Sequence, residues 1–185
     1  RCFWGRDFLV SGDVLDPRPE TETIIALALE QAPASRVLDL GTGSGILALT
    51  MLAEWPGARA LAVDRSAEAL DIAQRNAQLL GVGGRVELRK SDWFHGVEGA
   101  FDLILSNPPY IPEGDAPGLE AAVRQWEPNL ALFAGSDGLD AYRAIARDMA
   151  TARSGFWALP GVGAIAVKID DGAQRATVPP VVAAL

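Results

Sequence analysis

Apolar and polar positions alternate along this chain in two distinct periods. Short apolar runs at residues 36–40, 58–63, 85–89, 101–105 and 164–169 predict five β-strands. Between them lie longer stretches with helical spacing at 20–31, 46–55, 66–80 and 139–150. Local signals set their limits. Pro19 sits near the first turn of the first helix and Pro33 follows its end. Pro56-Gly57 stops the second. Ser66 caps the third and Gly81 ends it, and its apolar residues Leu70, Ala73, Ala77 and Leu80 share one face. A further helix is expected over 171–185, broken by Pro179-Pro180. Residues 107–138 read as one long Pro- and Gly-rich loop, a length that in a compact domain usually serves function. Strands alternating with helices predict an α/β fold: a parallel-rich sheet with helices on both faces. Such sheets bind ligands beyond the carboxyl ends of their strands, where the strand order reverses.

Composition narrows the function classes. A chain of 185 residues suffices for one domain with a real core, and 49% hydrophobic with 22% charged residues is ordinary for a soluble globular protein. No apolar stretch has the length of a membrane span, and no signal-peptide pattern opens the chain. The first residue is Arg1, not Met, so a piece of a longer chain is expected. The single cysteine, Cys2, excludes an internal disulfide and fits a reducing, cytoplasmic setting. The single histidine, His95, leaves little for a metal site or a Ser-His-Asp triad, so no metal is expected. A net charge of −8 argues against a protein that grips nucleic acid by its phosphates.

The strand at 101–105 runs into Ser106-Asn107-Pro108-Pro109-Tyr110. Two consecutive prolines remove two backbone donors and fix two φ angles. What remains is a rigid set of acceptors: the Asn107 side-chain oxygen and the carbonyls of Asn107 and Pro108. The ring of Tyr110 follows. A planar –NH2 group, with two in-plane hydrogens and a face to stack on, suits such a site. A Pro-rich turn with Asn107 as turn former is the other reading, and the segment alone leaves both open.

Other strand ends carry related chemistry. Asp39-Leu40-Gly41-Thr42-Gly43-Ser44-Gly45 joins the first strand to its helix, and its glycines let the backbone turn sharply against a ligand. The spacing is Gly-x-Gly-x-Gly, not that of dinucleotide folds, and no Gly-Lys-Ser/Thr follows, so the ligand need not carry a pyrophosphate. Asp64 ends the second strand, where a carboxylate can take both hydroxyls of a ribose. After the third strand, Asp92 can accept from an exocyclic adenine amine and Trp93 offers an apolar wall. Each has a plainer alternative: a tight turn, a helix-capping acid before Ser66, a core tryptophan. Taken in order, four strand ends match an adenosine ligand followed by a reacting amine, which points to methyl transfer.

The motifs at 37–45 and 106–111 resemble those of class I S-adenosylmethionine-dependent methyltransferases with a Rossmann-like fold. The likeness narrows with Phe8-Leu9-Val10, Val14-Leu15-Asp16-Pro17-Arg18-Pro19-Glu20-Thr21-Glu22, Val123-Arg124-Gln125-Trp126-Glu127-Pro128 and Asp137-Gly138-Leu139-Asp140-Ala141-Tyr142-Arg143. With these the chain resembles the glutamine N5-methyltransferases of peptide chain release factors, the HemK/PrmC family, over residues 3–147. The resemblance implies that Gly41, Thr42, Gly43, Ser44, Gly45, Asp64, Asp92, Trp93 and Asn107 hold S-adenosyl-L-methionine, the product being S-adenosyl-L-homocysteine. It implies that Asn107, Pro108, Pro109 and Tyr110 bind the substrate, with Asn107, Pro108 and Tyr110 catalytic. The implied substrate is the glutamine of a Gly-Gly-Gln motif in a release factor. Two alternatives stay open: amino-methylation of a nucleobase in DNA or RNA, and a remnant that binds cofactor but transfers nothing. The implied organisation is a leading segment at 1–19 and a methyltransferase domain at 20–185. Against the family pattern, this piece of chain is expected to lack the N-terminal helical domain and the closing C-terminal hairpin, Lys168 stands where an acid is usual, and residues 150–163 are longer than the family's turn before strand five.

Overall fold

The computed structural model describes residues 1–31, 33–99, 101–151 and 165–168. A short hairpin of β1 (Cys2–Phe3) and β2 (Arg6–Asp7) opens the chain. The main sheet contains β3 (Arg36–Leu40), β4 (Arg59–Asp64), β5 (Val86–Lys90), β6 (Leu103–Ser106) and β7 (Ile165–Lys168). Their spatial order is β5-β4-β3-β6-β7. The helices are α1 (Glu22–Leu29), α2 (Ile46–Glu54), α3 (Ala67–Leu79), α4 (Ala121–Trp126), α5 (Asn129–Leu132) and α6 (Asp140–Thr151).

Period-two alternation in the strands divides the apolar side chains between two layers. Val37 of β3, Ala60 and Ala62 of β4, and Leu103 and Leu105 of β6 join Ile24, Ile25, Leu49, Met51 and Leu52 in one buried cluster. The intervening residues Leu38, Leu40, Leu61, Val63 and Ile104 form the opposite cluster with Phe101 and with Ile145 of α6. Strands buried on both faces draw apolar residues at nearly every position, which is why they appear in the sequence as near-continuous apolar runs. The third layer of contact is smaller: Val14 from the leading segment packs on Ala69 and Ile72 of α3.

Two polar side chains close the frame. Arg85 donates to the carbonyls of Leu52 at 2.7 Å and of Trp55 and Ala58 at 3.1 Å, satisfying the carboxyl end of α2. Asn76, fully buried on α3, accepts from Leu9 N at 2.7 Å and donates to Leu9 O at 3.0 Å and Ser44 O at 2.8 Å. One carboxamide thus ties the leading segment to the glycine loop.

Most expected elements are present. Ser66 caps α3 as expected, its Oγ accepting from Ala69 N at 3.0 Å. Three expectations are corrected. The helix over 20–31 begins instead as a 3-10 turn, Pro19–Thr21, and its α-helical part is shorter. The segment 107–138 is not one open loop. It contains a 3-10 turn at Glu113–Gly118, then α4 and α5, and a parallel bridge between Ile111 and Phe133. These helices have too few residues for a period of 3.6 to emerge in the sequence, and Pro112 before the 3-10 turn and Pro128 before α5 mimic loop composition. Lastly, β7 runs antiparallel to β6, against the expected parallel arrangement. An apolar run has the same pattern in either direction, so it predicts a strand and not its polarity. The helix expected over 171–185, the segment before β7 and the side chain of Lys168 lie outside the described residues.

Candidate active site

The chain builds β3, β4 and β5 outward in sequence, then returns to place β6 on the other side of β3. The strand order therefore reverses between β3 and β6, and the crevice lies at their carboxyl ends. Leu40 pairs with Ser106 in the last rung, and Ser106 Oγ donates to Leu40 O at 2.7 Å. This rung sets Gly41 and Asn107 side by side.

The glycine loop is held from beneath. The N–H groups of Gly41 and Thr42 both donate to Val63 O at 2.9 Å. Asp39, with no solvent exposure, accepts from Thr42 Oγ1 at 2.6 Å and from Ala48 N at 3.2 Å through Oδ2, while its Oδ1 has no partner among the described residues. Burial pushes its carboxyl up to about 6; the bonds from Thr42 and Ala48 pull the other way, and nearby Asp64 adds to the rise. Gly45 faces inward, not toward a ligand. A Cβ there would come 2.7 Å from Leu49 Cδ1 and 3.3 Å from Ala73 Cβ, so this glycine lets α2 approach α3.

Asp64 closes the loop from the next strand. Its Oδ2 accepts from Gly43 N at 2.8 Å and its Oδ1 from Ser66 N at 2.9 Å. Asp64 thus orders the start of α3, and each of its oxygens keeps a lone pair for a further donor. Trp93 stands across from Gly41, with its ring 3.4 Å from where a Gly41 Cβ would be. Its backbone adopts a left-handed φ of 49°, within a turn in which Ser91 Oγ donates to Trp93 O at 3.1 Å and His95 N to Asp92 O at 3.0 Å. Asp92 is exposed at the rim of the crevice.

A cavity of about 1410 Å³ joins these strand ends. Gly41, Thr42, Gly43, Ser44, Asp64, Asp92, Trp93, Asn107, Pro108 and Pro109 all line it. So do Asp13, Asp16 and Arg18 of the leading segment and Phe133 and Ala134 beyond α5. Single-ligand clefts hold roughly 300–1,000 Å³, so this one has room for a cofactor and an inserted side chain together. Two of the expected site residues stand apart: neither Gly45 nor Tyr110 lines the cavity, and Tyr110 is 49% exposed. The backbone of Tyr110 is closely approached by Gly138. Gly138 has a φ of 75°, and a Cβ there would run into the Tyr110 carbonyl oxygen.

Asn107 is half-buried, and its Nδ2 donates to Thr21 Oγ1 at 3.1 Å. Nearby, Arg18 forms a two-pronged ion pair with Glu127, both contacts at 2.7 Å, linking the leading segment to the end of α4. Sequence reasoning singled out neither Thr21, Asn76 nor Asp39 as site-forming residues. Asn76 had a usable signal, a polar residue amid the apolar face of α3.

The family described as methyltransferase small domain matches residues 11–123. Several curated relatives are named release factor glutamine methyltransferase. The one from Cereibacter sphaeroides is 58% identical over 80% of this chain and 52% of its own length. The one from Rhodospirillum rubrum is 43% identical over 95% of this chain and 53% of its own length. The chain thus spans about half the length of these relatives. Among solved structures, the hMettl16 catalytic domain, crystallised with a MAT2A 3′UTR hairpin, has the same fold at a TM-score of 0.64 and 16% identity, over 80% of this chain and 58% of that one. The family match covers more than half of the sequence, and this chain belongs to the methyltransferase small domain family.

Proposed function

We propose that the chain is the catalytic part of a release-factor glutamine methyltransferase. It transfers the methyl group of S-adenosyl-L-methionine to the side-chain amide nitrogen of the glutamine in a Gly-Gly-Gln motif, leaving S-adenosyl-L-homocysteine. The observation that carries this reading is the position of Asn107-Pro108 at the cavity wall, one rung across from Gly41. The names of the relatives support the choice of substrate. Within the same proposal, residues 1–19 form a leading segment, residues 20–185 form the methyltransferase domain, and the setting is cytoplasmic.

The residues present fit the cofactor. The loop leaves open space above Gly43, where an added Cβ would meet nothing within 4 Å. Gly41, Thr42, Gly43 and Ser44 would receive its amino-acid part, Asp64 its ribose hydroxyls, and Asp92 with Trp93 its adenine. When bound, the cofactor supplies an electrophilic methyl group on a sulfonium. The remaining work falls to the chain. Asn107 Oδ1 and the Pro108 carbonyl accept the two hydrogens of the substrate amide and turn its nitrogen lone pair into line with the transferred methyl. Charge building on that nitrogen is met by the same two fixed acceptors. No strong base is needed, because the amide proton becomes acidic as the methyl arrives.

Radiolabelled methyl transfer to a release factor, to DNA and to RNA tests the proposal. Label on the release factor alone is the expected result. Label on nucleic acid, or on none of the three with cofactor binding intact, overturns it.

A further inference from the structure

Asparagine presents an ambiguity that the site must resolve. The oxygen and nitrogen of a carboxamide are nearly equal in size, so the side chain fills its space equally well in either orientation. Only one orientation suits an incoming –NH2 group. With Oδ1 facing the substrate, Asn107 accepts a hydrogen bond; turned over, it would set its own N–H donors against those of the amide.

Thr21 is the residue that touches this choice. Its Oγ1 accepts from Asn107 Nδ2 at 3.1 Å, across 86 positions of sequence. Thr21 is only 3% exposed, at the wall of the same cavity that Asn107 lines. It is also rigidly mounted. It ends the 3-10 turn that leads into α1, where Ile24 and Ile25 are fully buried, and its own N–H donates to Arg18 O at 3.0 Å. We propose that Thr21 is a positioning residue for methyl transfer: its hydroxyl, accepting from Asn107 Nδ2, holds the Asn107 carboxamide in place at the pocket and leaves Oδ1 to accept from the substrate amide.

The inference rests on the amide-methylating role given to Asn107 above, and its test separates the two. Wild-type protein, Thr21→Val, Thr21→Ser and the same changes in an Asn107→Ala background are assayed with a release factor. In parallel, the Asn107 side-chain amide signals are followed by nitrogen-15 NMR, and S-adenosyl-L-homocysteine affinity and melting temperature are measured. Valine keeps the branched shape of threonine and removes only the hydroxyl. The expected result is a loss of about tenfold in kcat for Thr21→Val, the size of one lost hydrogen bond. KM and S-adenosyl-L-homocysteine affinity stay within about twofold, Thr21→Ser recovers the rate, and Thr21→Val costs nothing further once Asn107 is alanine. The Asn107 amide signals shift in Thr21→Val and not in Thr21→Ser. An unchanged kcat, a loss that persists in the Asn107→Ala background, or a loss that follows the melting temperature overturns the inference. Should Thr21→Val fold poorly, Thr21→Ala takes its place. If wild-type protein methylates no release factor, the functional reading fails instead, and the NMR shift still decides whether Thr21 orients Asn107.

Discussion

The carboxylate of Asp64 and the backbone N–H of Gly43 are joined by a hydrogen bond of 2.8 Å, so the acid at the end of one strand fixes the glycine loop at the end of the next. In the proposed function the same carboxylate meets the ribose hydroxyls of the cofactor. Asp64→Ala therefore removes both a ligand contact and a loop tether. We expect S-adenosyl-L-methionine affinity to fall by about 1–3 kcal/mol, roughly ten- to a hundredfold, in calorimetry on folded protein. Unchanged affinity would remove Asp64 from the cofactor site.

Asn76 binds three backbone groups with one buried carboxamide. Asn76→Ala leaves the Leu9 N–H, the Leu9 carbonyl and the Ser44 carbonyl without these partners. The expected loss is about 2–4 kcal/mol in urea unfolding, accompanied by weaker cofactor binding because Ser44 belongs to the glycine loop. A loss well under 1 kcal/mol would mean that the leading segment and the loop hold their places without it.

Asp39 gives the fold a pH signature. Burial raises its carboxyl from 3.8 to about 6, so the folded state holds the proton more tightly than the unfolded state does. The contribution to stability is complete below about pH 4 and disappears as pH rises through about 6, and it amounts to about 3 kcal/mol at most. Other carboxylates act in the opposite sense, so the comparison must be with Asp39→Asn. Between about pH 4 and 7 the melting temperature of wild-type protein should fall relative to that of the variant. Parallel curves would show that Asp39 is ionised throughout.

Much of this architecture was legible in the sequence because of how it is buried. β3, β4 and β6 need apolar residues on both faces, so their runs announce them, and Ser66 announces α3 by its cap. The strand-end residues Gly41, Asp64, Trp93 and Asn107 were legible for a related reason: polar or flexible residues that abruptly end an apolar run usually serve something outside the sheet. What the sequence hid was tertiary. Thr21 and Asn107 meet across 86 positions, and no local pattern records a hydrogen bond of that span. Gly45 looks like its neighbours Gly41 and Gly43, yet only the packing of Leu49 and Ala73 against it shows that it serves α2 and α3. The direction of β7 and the short helices within 107–138 escaped because neither leaves a periodic trace.

The central claim is that Asn107 directs methyl transfer onto a glutamine amide. The most direct measurement is tandem mass spectrometry of a release factor after reaction with the cofactor and either wild-type protein or Asn107→Ala. The account predicts a methyl group on the side-chain nitrogen of the Gly-Gly-Gln glutamine with wild-type protein. With Asn107→Ala it predicts a rate lower by on the order of a hundredfold at unchanged melting temperature, as for other lost contacts to a transition state. A methyl group on any other residue, or near-normal turnover by folded Asn107→Ala at saturating substrate, would contradict it.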